Sequence, residues 1–378
     1  MASGLRYSGE MSGFTFLDET CLQQYGPEQV LSQMLSTKCY ISTTSSLAAQ
    51  DTAELKGVTQ VGKGQCGTIW ALTGTSNVLK AANEDKEDQL YNDYCKHARV
   101  EEALQQTFSR FRRNINLPSL GTWIGPRNER FWNEHRGVPP TDGILSERIL
   151  PVPFPVRSAL VDAFAPKGVK QNKESFLSQQ ENQDCLIRIY LGRRQSRPTS
   201  NAFRLRNFDM TVNEMEFLRL DTVLYAETLA QTLAIIHWNA KLDANDVEFV
   251  FGRASAGKRR PLAAELEAMS RFDLERLASE VDFRHRSIGI WLLDFDQCKA
   301  FPEDMDGVRQ LERGFYFNDP YYPRPVSEHP KDVALWNAFK ESYLVTSAAF
   351  TTSAMPNQFI DAVEAEGRKR RRGGSIFQ

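Results

Sequence analysis

Two carboxylates flank Phe295 at the end of the most apolar segment of the chain. In the sequence IGIWLLDFDQC, Asp294 and Asp296 follow the run Ile288–Leu293. A carboxylate that directly follows a buried strand is costly without a cation or a hydrogen-bond partner, so such positions are candidate ligand sites. Two acids this close repel each other unless a cation lies between them. We therefore interpret Asp294 as a catalytic residue and Asp296 as part of an acidic cluster.

A second group of polar residues precedes this pair by about fifty positions. The segment HWNAKLDANDVEF begins at His237 and carries the acids Asp243, Asp246 and Glu248. An imidazole titrates near neutral pH, which makes His237 a candidate acid–base group, although a buried hydrogen-bonding role is the alternative. We assign the three acids, with Asp296, to one substrate-binding cluster.

A glycine-rich turn lies near the start of the regular structure. Gly62, Gly64 and Gly67 form the sequence GKGQCG between two strand-like stretches. Glycines allow the backbone to approach a ligand closely, so the pattern favours a hairpin that folds over a ligand. Because no helix pattern follows directly, the match to a dinucleotide-binding turn is poor. An ordinary glycine hairpin remains the alternative.

A lysine follows this turn on the next predicted strand. Lys80 stands thirteen residues after Gly67 in the sequence NVLKA. A strand lysine at this distance from a glycine loop grips phosphates in kinases and pairs with an acid on the following helix. The candidates for that acid are Glu87, Asp88 and Asp93. A simple surface lysine is the alternative.

The four features occur in the order that protein kinases use: glycine loop, lysine strand, catalytic loop and Asp-Phe strand end. Three positions depart from the kinase pattern. Asn239 replaces the catalytic aspartate, Ala244 replaces the metal-binding asparagine, and Asp296 replaces the glycine after Asp-Phe. Asparagine cannot accept a proton as aspartate does. The order therefore predicts a protein-kinase-like α+β fold whose phosphotransfer machinery is incomplete.

The elements that position these residues fall into two predicted lobes. Period-two and period-three-to-four patterns predict a small β-rich N-lobe over 56–150 and a larger helical C-lobe over 151–345. Residues 1–55 form an N-terminal extension, and 346–378 form a C-terminal helix and basic tail. The predicted strands cover Val58–Leu72, Asn77–Ala81, Gly143–Leu150, Cys185–Leu191 and Ile288–Phe295. The predicted helices cover Pro27–Leu35, Asp85–Gln106, Glu214–His237 and Trp336–Leu344.

The remaining predictions concern the connector between the lobes, an insertion and the C-terminal tail. Pro151, Pro153 and Pro155 predict an extended connector between the lobes. The stretch Ala254–Phe283 reads as a partly helical insertion, and the chain after Glu366 reads as unfolded.

Composition and charge limit the possible functions. The chain has 378 residues, 41% of them hydrophobic, and a formal net charge of -2. It contains neither an apolar run of membrane-spanning length nor a signal-peptide pattern, so we expect a cytoplasmic protein with no membrane partner. The six cysteines form no CxxC pair, so no metal site is expected.

Basic residues are concentrated in short islands despite the neutral total, which can give one positively charged face. Solvated surface charge is the alternative. The candidate nucleic-acid contacts in these islands are Arg112, Arg113, Arg193, Arg194, Lys258, Arg259 and Arg260, and a further run is Arg368–Arg372.

Several segments resemble a fungal family of kinase-like proteins that is often mislabelled as zinc finger proteins. They are ILSERILPVP (144–153), LAIIHWNAKLDANDVEFVFG (233–252), WLLDFDQCK (291–299) and FYFNDPYYPRP (315–325). The family is similar to the fungal arginine-containing cyclodipeptide synthases. That resemblance implies an aminoacyltransferase-type enzyme that joins arginine and a second amino acid from two aminoacyl-tRNAs into a cyclic dipeptide.

The residues fit this implied activity. Basic islands suit tRNA phosphates, and the acidic cluster suits a guanidinium, which carboxylates bind in a bidentate manner. Aminoacyl esters are already activated, so no cofactor is required. The alternatives are a small-molecule phosphotransferase that uses ATP and Mg²⁺, and a pseudokinase that acts only as a binding module.

Overall fold

The structure is a computed structural model with helices and strands in an α+β arrangement, which confirms the predicted class. It describes residues 15–17, 24–36, 39–42, 58–72, 74–107, 115–195, 203–255, 263–273 and 285–372. No helix within these ranges combines the length and the apolar character that crossing a bilayer requires. The kinase-like assignment and the lobe boundaries stay predictions.

The elements are numbered in chain order. The strands are β1 Thr15–Leu17, β2 Cys39–Ser42, β3 Thr59–Lys63, β4 Gly67–Ala71, β5 Asn77–Ala82, β6 Ile115–Asn116, β7 Leu120–Ile124, β8 Gly143–Glu147, β9 Ile187–Tyr190, β10 Phe208–Thr211, β11 Glu248–Ser255 and β12 His285–Leu293. The helices are α1 Pro27–Met34, α2 Glu87–Gln106, α3 Glu129–Glu134, α4 Phe154–Phe164, α5 Lys167–Gln171, α6 Lys173–Ser178, α7 Gln180–Gln183, α8 Val212–Phe217, α9 Thr222–Trp238, α10 Ala263–Ala268, α11 Met305–Phe317, α12 Pro330–Ser347 and α13 Met355–Arg372.

The first sheet is antiparallel, with the strand order β3-β4-β5-β8-β7. Side chains alternate along β5, so Leu79 and Ala81 enter one core while Lys80 points to the opposite face. On that opposite face Ile144 of β8 packs with Leu90 of α2. The predicted glycine hairpin, lysine strand and following helix are confirmed here.

Gly67 is required by the sheet itself. A Cβ atom at this position would lie 2.8 Å from the carbonyl oxygen of Ala81 on β5. No real side chain tolerates that distance, so the strands approach each other closely here only because the residue is glycine. The close approach lies next to Lys80 and fixes the strand that carries it.

The second sheet has the order β1-β2-β12-β11-β9-β10, and β6 pairs with β12. The hairpin of β11 and β12 is regular from the pair Glu248–Leu293 to the pair Ser255–Arg286. Phe249 and Phe251 enter the main core below α9, whereas Val250 lies on the opposite face. The C-terminal half is therefore built around longer strands than the sequence pattern predicted.

The predicted N-terminal extension is part of this second body. Leu31 and Leu35 are fully buried in the main core, and the Tyr225 hydroxyl of α9 donates to the Leu35 carbonyl at 2.7 Å. The strand β2 also pairs with β12. Burial of this apolar helix face ties the segment to α4 and α9.

The prediction of one continuous helix over Glu214–His237 is wrong, because the structure has two helices, α8 and α9, in this segment. Arg219 has a φ of 56°, which ends α8, and the Asp221 side chain caps α9 by accepting from the Leu224 amide at 3.1 Å. Phe217 is apolar but 63% exposed, and it lies in α8 before this break. Sequence periodicity missed the break because neither Gly nor Pro marks it.

Two other predictions also need correction. Pro155 lies in the first turn of α4, where proline is tolerated, so the extended connector stops at Pro153. Helix α13 continues to Arg372, so the chain after Glu366 is helical as far as this residue. The insertion Ala254–Phe283 is described only at its start and over 263–273, and its other residues lie outside the described ranges.

Candidate active site

Lys80 joins the two sheets through two carboxylates. Its Nζ lies 2.7 Å from Asp93 Oδ2 on α2 and 3.1 Å from Asp294 Oδ1 after β12. Burial disfavours the charged lysine, but both carboxylates outweigh it and hold the Lys80 pKa well above its usual value. Lys80 therefore carries its positive charge at neutral pH and is held between one acid on α2 and one acid that follows β12.

Of the three candidate acids on α2, Asp93 is the one that pairs with Lys80. It is 5% exposed, whereas Glu87 and Asp88 lie on the exposed side of the first turn of α2. Its second oxygen, Oδ1, accepts from the Phe295 amide at 3.1 Å. One carboxylate thus fixes both Lys80 and the Asp-Phe segment.

Asp294 has the properties of a poised acid–base group. Its φ is 67°, in the left-handed region that aspartate tolerates better than most residues and that is common at functional sites. Burial raises the Asp294 pKa from 3.8 to about 7, against the opposing charge of Lys80 and with further increases from Asp93, Asp296 and Glu248. A carboxyl group whose pKa is near 7 can accept and return a proton under physiological conditions.

Asp296 is a buried acid with incomplete pairing. It is 6% exposed, and Gln89 Nε2 of α2 donates to its Oδ2 at 2.8 Å. Its Oδ1 is buried and has no hydrogen-bond partner among the described residues. The Cys66 thiol is a close neighbour, and burial, followed by charges that include Asp296, raises the Cys66 pKa to about 12.

Asp246 stands at the end of a strained loop. Lys241, Ala244 and Asp246 have φ values of 55°, 52° and 65°, a conformation that costs about 1 kcal/mol for each non-glycine residue. Burial raises the Asp246 pKa from 3.8 to about 6, helped by the charges of Asp296 and Glu248. The loop therefore presents a second carboxylate that titrates near neutrality.

Asp243 maintains this loop, whereas the sequence pattern assigned it to a substrate-binding cluster. It is 4% exposed, and its Oδ1 accepts from the amides of Asn245 at 3.2 Å and Lys299 at 2.9 Å. Its Oδ2 accepts from Gln310 Nε2 at 2.7 Å. These three hydrogen bonds occupy both oxygens of the Asp243 carboxylate. They give Asp243 a structural role in place of the substrate-binding role that we predicted.

Asn318 braces the same loop from the other side. Its Nδ2 donates to the Ala244 carbonyl at 2.7 Å, and its Oδ1 accepts from the Asp246 amide at 2.6 Å. The side chain is 4% exposed. The sequence analysis did not single out Asn318, so its part in holding Asp246 was missed.

Glu248 is paired with a half-buried arginine. It faces Arg188 of β9, whose Nη2 donates to Glu248 Oε1. Residues 248 and 293 are directly opposite on β11 and β12, so Glu248 lies beside the strand that ends at Asp294. Glu248 remains close enough to Asp246 and Asp294 to raise the pKa of both.

His237 lies in the core rather than among these acids. It is 1% exposed and its ring is surrounded by Phe301, Tyr343 and Phe359, with Nδ1 2.9 Å from the Tyr343 hydroxyl. Burial lowers the His237 pKa to about 3, so the ring is neutral at physiological pH. This environment corrects the catalytic role that we predicted. Asn239 caps α9 and donates to the Ala103 carbonyl at 3.0 Å.

The tip of the glycine hairpin touches the acidic region. Asn83 Nδ2 donates to the carbonyls of Gly64 and Gln65 at 3.0 Å each and shapes the turn. Gln297 Nε2 lies 3.3 Å from Gln65 Oε1 and also donates to Asp246 Oδ2. Gln297 therefore links the glycine hairpin to Asp246 through hydrogen bonds. Gly62 lies in β3 and packs against Ile69.

The basic candidates have different environments. Arg194 is bound by Glu216 at 2.8 Å and Asp332 at 2.6 Å, so its charge is used within the protein. Arg193 is 3.6 Å from Asp209 and stacks over Tyr190. The end of α13 carries exposed basic residues. The remaining candidates, Arg112, Arg113, Lys258, Arg259 and Arg260, lie outside the described residues.

Residues that sequence reasoning did not single out complete the site. Gln89, Gln297 and Asn318 each bond directly to Asp296 or Asp246. Amide side chains are uncharged, so no charge pattern in the sequence marks these three residues. The one available signal was the position of Gln89 before Asp93 on one face of a helix, which places the two side chains side by side.

A family model described as zinc finger protein matches residues 290–354. This segment spans the end of β12 and the whole of α11 and α12, and it therefore contains Asp294, Asp296 and Asn318. Its only Cys and His residues are Cys298 and His329, whereas a structural zinc ion needs four ligands. Within the described ranges, no three His, Cys, Asp or Glu side chains are placed to hold a metal ion. A search of curated proteins found no match to the chain.

Proposed function

We propose that this chain is a tRNA-dependent cyclodipeptide synthase that takes arginine as one of its two amino acids. The observation that carries the proposal is a cluster of buried and half-buried carboxylates that outnumber the cations near them. The interacting acids are Asp93, Asp246, Glu248, Asp294 and Asp296, and the interacting cations among the described residues are Lys80 and Arg188.

The charge balance of this group favours a cationic substrate. Five carboxylates face two cations, so the site is negative when all its acids are ionised. Burial, with a further contribution from the neighbouring carboxylates, raises the pKa of Asp246 to about 6 and that of Asp294 to about 7. A guanidinium bound between carboxylates would supply the missing charge and donate bidentate hydrogen bonds.

The same group has the parts that aminolysis of an ester requires. The α-amino group of one aminoacyl ester attacks the ester carbonyl of the other, forming a C–N bond and releasing a tRNA 3′-hydroxyl. A second, intramolecular attack closes the ring and releases the other tRNA. Asp294 can take the proton from each attacking amine and return it to the leaving oxygen. Lys80 supplies a fixed positive charge beside it.

The proposal also rests on the likeness of four segments of this chain to a fungal kinase-like family that resembles the arginine-containing cyclodipeptide synthases. It is tested by incubating the purified chain with arginyl-tRNA and a mixture of other aminoacyl-tRNAs, followed by mass spectrometry. An arginine-containing cyclic dipeptide is expected, and Asp294→Asn should reduce its rate about 100-fold. The exposed Asp306→Asn serves as the matched control. The proposal fails if no such product forms and if tRNA binds no more tightly than other polyanions.

A phosphotransferase is the second candidate because Lys80 and Asp93 form the ion pair that kinases use. In that case Asp246 and Asp294 would be the acids available for Mg²⁺ with bound ATP. Thermal unfolding with and without Mg-ATP separates the candidates, since only the phosphotransferase predicts a stabilisation that Lys80→Ala removes.

A further inference from the structure

Two buried hydrogen-bond donors close to Asp246 have no acceptor. They are the Tyr321 hydroxyl and the Arg188 Nε–H, and neither has a hydrogen-bond partner among the described residues. An unpaired buried donor costs about 1–3 kcal/mol, so a folded protein rarely keeps two without a use. Neither group belongs to the acid–base machinery described above.

The backbone around both donors is firmly held. Arg188 lies on β9 opposite Val250, and Glu248 lies on the same face two residues earlier, where it binds the guanidinium. The Tyr321 carbonyl accepts from the Leu191 amide at 3.2 Å, directly after β9. Arg188 is thus fixed on β9, and Tyr321 is tied by its backbone to the residue that directly follows this strand.

The rings around Tyr321 restrict its side chain as well. Its ring lies 5.2 Å from that of Tyr190 and 6.0 Å from that of Phe249, both in edge-on contact. Tyr321 is 6% exposed, but the Arg188 side chain is 27% exposed, so the pair reaches solvent at the guanidinium. A ligand can therefore approach from the Arg188 side.

The surrounding charges decide what kind of acceptor fits. Burial raises the Tyr321 pKa well above its usual value, with a further increase from Glu248, so the group remains a donor. Glu248 and Asp246 would repel a carboxylate or a phosphate at this place. An uncharged oxygen meets both requirements.

We propose that the Tyr321 hydroxyl and the Arg188 Nε–H form a subsite for an uncharged carbonyl oxygen, that of the aminoacyl ester. This inference rests on the proposed function. When the amine attacks, this oxygen gains negative charge, and donors already in place stabilise it without reorganisation. Tyr321 thereby becomes a catalytic residue that touches the reacting carbonyl.

Two small probes isolate the oxygen contact. Argininamide carries a carbonyl, and agmatine has the same guanidinium and a primary amine but no carbonyl. Calorimetric titration of the full chain should give tighter binding of argininamide, by about fivefold, as expected for one net hydrogen bond. Tyr321→Phe should remove this preference and leave the affinity for agmatine unchanged.

Two further variants keep the test decisive. Tyr316→Phe removes a buried hydroxyl that donates to the Val363 carbonyl outside the site, and it should retain the preference. Arg188→Lys keeps the charge facing Glu248 but lacks the Nε–H, so it should weaken the preference even if Tyr321→Phe fails to fold.

The outcomes separate this subsite from the proposed function. Binding of both probes with a preference that survives Tyr321→Phe and Arg188→Lys overturns the subsite and leaves the arginine substrate standing. Binding of neither probe to the unaltered chain overturns the arginine substrate and the subsite together.

Discussion

Lys80 Nζ and Asp294 Oδ1 lie 3.1 Å apart although 214 residues separate them in the chain. This contact joins the central strand of the first sheet to the end of β12 in the second sheet. Asp93 completes it from α2 at 2.7 Å. The position of the candidate site therefore depends on the packing of the two sheets against one helix.

Replacement of Lys80 by Met should strongly destabilise the protein. Asp93 and Asp294 would stay buried without their cation, and loss of one partner from a buried ion pair costs about 3 kcal/mol. Urea unfolding at pH 8 measures the change. The double variant Lys80→Met/Asp93→Asn should recover part of the loss, because one uncompensated charge is removed. Equal stability of Lys80→Met and the unaltered chain would contradict the ion-pair interpretation.

The pH dependence of stability should report Asp294. Its pKa rises from 3.8 to about 7 on folding, so the folded state binds this proton more tightly than the unfolded state. The stabilising effect is present below the unfolded pKa and is lost as the pH rises toward 7. The free energy of unfolding should thus fall between about pH 4 and pH 7, and Asp294→Asn should flatten that fall by up to about 4 kcal/mol.

Asp306→Asn is the control for this pH series, because Asp306 is exposed on α11, where it pairs with the exposed Arg309. The slope of its unfolding free energy against pH should match that of the unaltered chain. A slope unaffected by Asp294→Asn would mean that the Asp294 pKa is ordinary in the folded protein.

Asn318→Ala should loosen the loop that carries Asp246. The variant leaves the Ala244 carbonyl and the Asp246 amide without their partners, at a cost of about 3 kcal/mol. Agmatine binding should weaken as well, because Asp246 loses its fixed position. Asn172→Ala removes an exposed side-chain bond to the Gly168 carbonyl and should change both measurements little. Unchanged agmatine binding in Asn318→Ala would separate the loop from the binding site.

The basic end of α13 should contribute to tRNA binding under the proposed function. Arg371→Ala/Arg372→Ala should weaken binding and lower the slope of log affinity against log salt by about 1 for each phosphate that is no longer neutralised. The triple change Lys258→Ala/Arg259→Ala/Arg260→Ala tests the other island in the same assay. Lys331→Ala, which alters an exposed lysine paired with Glu216, is the control. A slope that none of these changes affects would exclude these islands as the surface that binds tRNA.

Much of the local structure followed from sequence patterns. Alternating residues around Gly62–Gly67, the strand at Lys80 and the apolar run before Asp294 all gave strands where they were predicted. Strong periodicity reflects burial of one face, which is a local property of the chain. The break at Arg219 was missed because it depends on a backbone conformation and a cap rather than on composition.

The sequence by itself indicated several of the charged residues of the site, since Lys80, Asp246, Asp294 and Asp296 stand at the strands and loops that were predicted to carry it. Only the tertiary structure decided which of them remain available. It buried His237 among aromatic rings and committed Asp243 to three hydrogen bonds, and it left Asp246 and Asp294 with raised pKa values. The reason is physical: a residue type fixes what a side chain can donate or accept, whereas burial and neighbours from distant parts of the chain fix its free energy of ionisation.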